Sequence, residues 1–304
     1  MAVIKTWSTP ERKEGQAFVP CALCGGEIFE PALSCGGFSY VRCLNCELVQ
    51  INPQPFIIDV ESRYKELHGN DYLAYEIENE ASFLELQKLA LKDLGFEKIE
   101  KQIFAGRNPD KPIILDAGCA TGAMLEVFKN RGWQAVGVEI SPAAEYARQK
   151  RGLDVYSINL ESCNFSSRLF DVIYASHFLE HLNSPDIFLL EAMRLLRPGG
   201  YIVLITPNIS GFQARLFGSR WRSVIFDHLF LFSKKTIKTF LGNIGFSVEK
   251  ISTWGGLASG TAPLPLKKIA DKAVKILGTG DVMAVRARKP LDQASKKSYT
   301  GLKT

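Results

Sequence analysis

Ile113-Ile114-Leu115-Asp116-Ala117-Gly118-Cys119-Ala120-Thr121-Gly122 is the stretch from which the fold is read. Its apolar start makes a buried strand. The small residues that follow make a turn through which backbone can approach a ligand before a helix opens. Glycine turns of this kind also serve P-loops and dinucleotide-binding units. No Gly-Lys-Ser/Thr follows, so a P-loop is excluded. Asp116 stands immediately before the glycines, where it would repel a pyrophosphate, and an acid there suits a ligand that carries an ammonium group. Glu139 ends the next apolar run, Ala135-Val136-Gly137-Val138. A carboxylate at that point can accept both hydroxyls of a ribose. The two acids together describe S-adenosylmethionine better than NAD.

Outward from this stretch, strands alternate with helices, which is the pattern of a parallel sheet flanked by helices. Strands are expected at 113–116, 135–139, 155–157, 171–175, 201–206, 246–252 and 282–287. Helices are expected near 123–130, 143–150, 186–196 and 234–241, and 264–277 reads as a basic amphipathic segment. Before residue 109, Phe83, Leu86, Leu89, Ala90 and Leu94 recur at helical spacing and mark an amphipathic helix. Tyr64, Tyr72 and Tyr75 precede it and either cover a site or fill a surface.

The region 109–288 resembles the class I S-adenosylmethionine-dependent methyltransferases. Their first motif, acid-x-Gly-x-Gly-x-Gly, stands here as Asp116, Gly118, Ala120 and Gly122, with Ala for the middle glycine. Phe170-Asp171-Val172-Ile173 matches the family's fourth strand, and Leu196-Arg197-Pro198-Gly199-Gly200 matches the turn before its fifth. The resemblance implies an α/β fold, a Rossmann-like seven-stranded sheet with flanking helices. It implies S-adenosyl-L-methionine as cofactor, with Gly118 and Gly122 near the methionine part, Glu139 on the ribose and Ile140 against adenine. Asn159 and Leu160 fill the slot after strand three, and Ser176, just past strand four, is a further cofactor-binding candidate.

Methyl transfer from a sulfonium demands alignment of the nucleophile and removal of its proton, if it has one. Histidines are the candidate bases. His177 and His181 follow strand four at the carboxyl edge of the sheet, and His228 lies further on. Each is a candidate catalytic residue, with capping or packing as the other reading of His181. His177-x-x-Glu180-His181 is also similar to the acid-x-x-Glu-His metal set of small-RNA 3′-end 2′-O-methyltransferases and certain ubiquinone-pathway O-methyltransferases. His228 resembles the additional histidine of the RNA enzymes. Between Pro207 and Phe232, six aromatic residues accompany Arg215, Arg220 and Arg222. Trp221 and these arginines read as a substrate lid for a small anionic or sugar-like molecule, or as a segment that caps the sheet.

Cys21, Cys24, Cys43 and Cys46 form C-x2-C-x18-C-x2-C, the spacing of two zinc knuckles, so residues 19–56 read as a small N-terminal zinc ribbon with a structural Zn²⁺. The expected division is a tail over 1–18, the ribbon, a helical linker and cap over 57–108, the methyltransferase domain over 109–288 and a tail over 289–304. Hydrophobic residues make up 46% of the 304 and charged ones 23%, as in ordinary globular proteins. The net charge of +5 is too small to point to nucleic acid by itself. No apolar run reaches the roughly 18 residues of a membrane span, and MAVIKTWSTPERKEG lacks a signal-peptide core, so a cytoplasmic location is expected. Two other functions compete. An RNA methyltransferase is disfavoured because Arg42 is the only cation between Cys21 and Cys46. A non-catalytic scaffold would use the ribbon for protein contacts.

Overall fold

The computed structural model describes residues 15–55, 69–107, 109–255 and 264–292. Tyr64 and the outer parts of both expected tails lie outside them. The chain opens with β1 (Gln16–Ala17), β2 (Phe29–Cys35), β3 (Phe38–Cys43), β4 (Val49–Ile51) and β5 (Gln54–Pro55), followed by α1 (Gly69–Asp93) and α2 (Phe96–Arg107). The alternating part holds β6 (Ile113–Ala117), α3 (Ala123–Asn130), β7 (Gln134–Val138), α4 (Ala143–Arg151), β8 (Asp154–Tyr156), β9 (Phe170–Ser176), α5 (Pro185–Leu195) and β10 (Leu196–Pro207). It closes with α6 (Phe212–Phe217), β11 (Phe230–Leu231), α7 (Lys234–Ile244), β12 (Ser247–Trp254), α8 (Leu264–Leu277) and β13 (Val282–Arg288).

The main sheet has seven strands in the order β12-β13-β10-β9-β6-β7-β8. β13 runs antiparallel to both its neighbours, while β10, β9, β6, β7 and β8 pair in parallel. All five residues of β6 are buried, as a central strand covered on both faces requires. Ala90, Leu91, Phe96, Ile99, Met124 and Phe128 cover one face through α1, α2 and α3. Phe188, Leu189, Ile237 and Phe240 of α5 and α7 cover the other. Strand order reverses between β6 and β9, and a ligand crevice is expected at their carboxyl ends.

The N-terminal strands do not form a separate layer. β2, β3 and β4 make a four-stranded sheet with β11, which comes from almost two hundred residues further along the chain. Phe230 pairs with Gln50 and Leu231 with Val49. Tyr40, Leu48, Val49 and Ile51 consequently share one apolar core with Leu229, Phe230, Ile237 and Leu204.

Candidate functional site

The turn after β6 is held by its backbone. Gly118, Ala120 and Gly122 have φ of 73°, 46° and 78°. A Cβ on Gly118 would stand 2.5 Å from the Phe178 ring, so glycine is required there twice over. Ala120 tolerates the same left-handed backbone because its N–H donates to Glu139 Oε2 at 3.0 Å. The other oxygen of Glu139 accepts from Ser141 N at 2.8 Å. Glu139 thus ties the first turn to the second, and each of its oxygens keeps a lone pair for a further donor. Asp116 is 2% exposed, and burial followed by the charge of Glu139 pushes its pKa up to about 8.

A cleft of about 330 Å³ opens beside this turn, lined by Ile140, Ser141, Pro142, Glu145 and Ser157. Leu160 does not line the cleft, because its side chain is buried in the main core. Asn159 opens the short 3-10 turn Leu160–Cys163, and its carbonyl accepts from Ser162 N. The half-buried Ser176 ends β9 next to His177.

α1 lies against the same turn, which sequence reading leaves open. Thr121 Oγ1 donates to Glu80 Oε2 at 2.7 Å, Arg151 Nη2 reaches Glu80 Oε1 at 2.5 Å, and Tyr174 OH donates to Gln87 Oε1 at 2.8 Å. One turn earlier, burial and then the charge of Glu139 push Glu76 up to about 7, while His177 pulls the other way. The signal was available: residues 76, 80 and 87 share one helical face.

Past β9 the backbone turns sharply. His177 takes φ of 50°, uncommon for a residue with a side chain, and its N–H donates to Ile205 O at 2.8 Å. Its half-exposed ring places Nδ1 at 3.1 Å from Glu180 Oε1. Glu180 is fully buried, and among the described residues its Oε2 has no hydrogen-bond partner. Burial is the largest single influence and would raise its pKa, but the His177 hydrogen bond together with the charges of His177, His181 and His228 brings the carboxyl down to about 2. His181 and His228 meet edge to face with centroids 4.8 Å apart. His228 Nδ1 donates to Ser223 O at 2.9 Å, which leaves Nε2 as the lone-pair nitrogen. Burial and His228 drive His181 down to about 3, and burial also lowers His228, so both rings are neutral. Ligand-type atoms of Glu180, His181 and His228 all lie within 4.8 Å of one another. Of the four residues in the acid-x-x-Glu-His reading, three converge, and His177 bonds Glu180 Oε1 from outside that group.

Residues 90–251 match the family described as a methyltransferase domain. The chain belongs to that family. Among its relatives is a ubiquinone biosynthesis O-methyltransferase from Maricaulis maris, 26% identical over 155 residues, or 47% of this chain and 61% of that protein. A tRNA U34 carboxymethyltransferase from Cellvibrio japonicus is 28% identical over 149 residues, 46% of each chain. The chain therefore spans less than two thirds of the length of these curated relatives. A solved structure from Thermotoga maritima, titled a possible histamine N-methyltransferase, aligns with a TM-score of 0.48 and 20% identity, over 71% of this chain and 97% of that one.

In the methyltransferase domain the segment from Pro207 to Phe232 is largely anchored. Trp221 is 2% exposed, and its indole N–H donates to Asp281 Oδ1. Arg222 Nε donates to Asp281 Oδ2 at 2.8 Å, and Asp281 itself is fully buried. Trp221 is thus a core residue and not part of a substrate face, because its N–H must be satisfied where it is buried. Arg215 and Arg220 are exposed beside Phe212 and Phe217. Phe226 stacks on Phe38 of β3 at 6.0 Å.

The four cysteines converge. Cys21 and Cys46 Sγ atoms lie 3.4 Å apart, Cys24 and Cys43 3.5 Å, and all four are within 4.8 Å. Thiolates at the ~2.3 Å Zn–S distance stand about 3.8 Å apart on a tetrahedron, so this donor set fits Zn²⁺. Two matching turns present the thiols. Gly25 N donates to Cys21 O at 2.8 Å and Glu47 N to Cys43 O at 2.9 Å, with φ of 68° at both Gly25 and Glu47. Among the described residues no helix is long and apolar enough to cross a membrane.

Proposed function

We propose that this chain is an S-adenosylmethionine-dependent methyltransferase acting on an oxygen or nitrogen of a small, anionic or sugar-like molecule. The juxtaposition of Asp116 and Glu139 with the His177–Glu180 pair at one edge of a methyltransferase-family sheet carries this reading. The bound cofactor would supply an electrophilic methyl group on its sulfonium. Glu139 would accept from the ribose hydroxyls, Asp116 would face the ammonium, and Ile140 would line the adenine slot. Asn159 and Ser176 would complete that surround.

His177 is the base. Glu180 takes the Nδ1–H of its ring, which directs Nε2 toward the acceptor's proton. A histidine pulled down to about 3 is too weak a base to share that work, so His181 supports Glu180 instead. Arg215 and Arg220 supply positive charge for an anionic acceptor. The four cysteines hold a structural Zn²⁺, and their free thiols suit a reducing, cytoplasmic setting. Arg42 is paired with Glu30 at 3.5 Å, so the ribbon offers little to a phosphate backbone. Calorimetry and turnover test the reading together. His177→Gln should keep cofactor affinity and lose most of kcat; a wild-type chain that binds no S-adenosylmethionine would refute it.

One observation favours a second reading of the cluster. The unpartnered Glu180 Oε2 beside two neutral imidazoles makes a two-histidine, one-carboxylate set that fits a divalent ion. Elemental analysis of the full chain should then find two ions per chain in the wild type and one in His228→Ala. One ion in both would dismiss it.

A further inference from the structure

The loop 223–229, which carries His228, is held from the ribbon side. Tyr40, on the central ribbon strand β3, is fully buried and directs its hydroxyl at two carbonyls, Ile225 O at 2.6 Å and His228 O at 2.7 Å. One phenolic proton shared between two backbone acceptors closes the loop into a fixed ring. Ile51 N of β4 donates to Leu229 O at 2.8 Å, and the β4–β11 ladder continues from there. Within the loop, His228 N donates to Ile225 O at 3.1 Å and Nδ1 to Ser223 O. The same carbonyl of Ile225 therefore takes both the loop's own N–H and the Tyr40 hydroxyl.

We infer that the four-cysteine ribbon is a positioning element of the transfer site, and that Tyr40 is the residue through which it sets the His228 ring against His181 and Glu180. The inference rests on the proposed role of the Glu180–His181–His228 cluster. The cysteine cluster fixes the path of β3 through Cys43, three residues beyond Tyr40. The hydroxyl then places the carbonyl of His228, and the backbone of His228 places its ring. Loss of the ribbon metal would reach the cluster along this route, without any contact between the two sites.

The test is histidine NMR on the full chain, which has four histidines to assign. Tyr40→Phe keeps the ring and removes the two hydrogen bonds. The His228 and His181 ring resonances should move together, while the S-adenosylmethionine Kd stays unchanged and kcat falls. Arg42→Ala, at a half-buried position on the same strand, should move neither resonance. Stripping the ribbon metal with a thiol-competing chelator should reproduce the Tyr40→Phe shift. Unmoved His228 and His181 resonances in Tyr40→Phe would overturn the inference. Should Tyr40→Phe fail to fold, the chelated wild type decides it by the same resonances. Failure of the functional reading looks different, since it appears as absent cofactor binding in the wild type whatever the resonances do.

Discussion

Acidifying the solution should weaken S-adenosylmethionine binding through one carboxyl group. Asp116 has its pKa pushed from 3.8 to about 8 by burial and by the charge of Glu139. Roughly nine in ten copies then carry a proton at pH 7. A cationic ammonium needs the ionised form, so the apparent Kd is the intrinsic one divided by the ionised fraction. That is about twice the intrinsic value at pH 8, about elevenfold at pH 7 and about a hundredfold at pH 6. Titration calorimetry across this range reads these factors. Repeated at pH 7 in buffers of different ionisation enthalpy, it reads a release of close to one proton per ligand. Glu76, raised to about 7, adds a smaller release, and Asp116→Asn separates the two. The amide has the shape of the protonated acid, so the variant should fold, bind weakly and lose most of the slope between pH 7 and 8. Stability has the same origin. A raised acid favours the folded chain most below the unfolded value of 3.8, and that contribution is lost as pH rises through about 8. A wild-type Kd flat from pH 6 to 8 would refute the reasoning.

Trp221→Phe should destabilise the fold by about 1–3 kcal/mol, because it withdraws a donor from the buried Asp281, and a urea titration measures it. An unchanged midpoint would mean that Arg222 satisfies Asp281 alone. Arg215→Ala with Arg220→Ala should raise the Michaelis constant for an anionic acceptor and leave the cofactor Kd alone. An unchanged constant would remove the arginines from the acceptor site.

The sheet was legible because its information is local. β6, β7, β9 and β10 each contain a run of apolar residues, from Ile113 to Leu115, Ala135 to Val138, Val172 to Ala175 and Tyr201 to Ile205, and each such run could be read without its neighbours. The glycine turn after β6 was legible for the same reason, since Asp116, the glycines and Glu139 lie at strand ends. Partners that fold up from a distance were not legible. Trp221 looks like a substrate aromatic until Asp281, sixty residues on, is seen to accept its N–H. β2 shows no clean alternation because none of its residues is buried, and it carries Pro31 with a bulge between Pro31 and Leu33.

The ribbon gives the sharpest case of the difference between a boundary in sequence and one in energy. C-x2-C-x18-C-x2-C delimits a unit that a metal alone can organise, and read by itself it ends near Pro55. Its outer strand, however, is β11, and β11 is inseparable from the segment that brings in His228. Cutting the ribbon away would bare the edge of β11 and the carbonyls of Ile225 and His228, and would open the core shared by Tyr40 and Leu229. Unpaired buried carbonyls and lost apolar cover each cost on the order of 1–3 kcal/mol, against a domain stability of only about 5–15 kcal/mol. The ribbon is therefore part of what keeps this side of the sheet folded, and a metal held by its four cysteines would act on the histidine cluster through that packing.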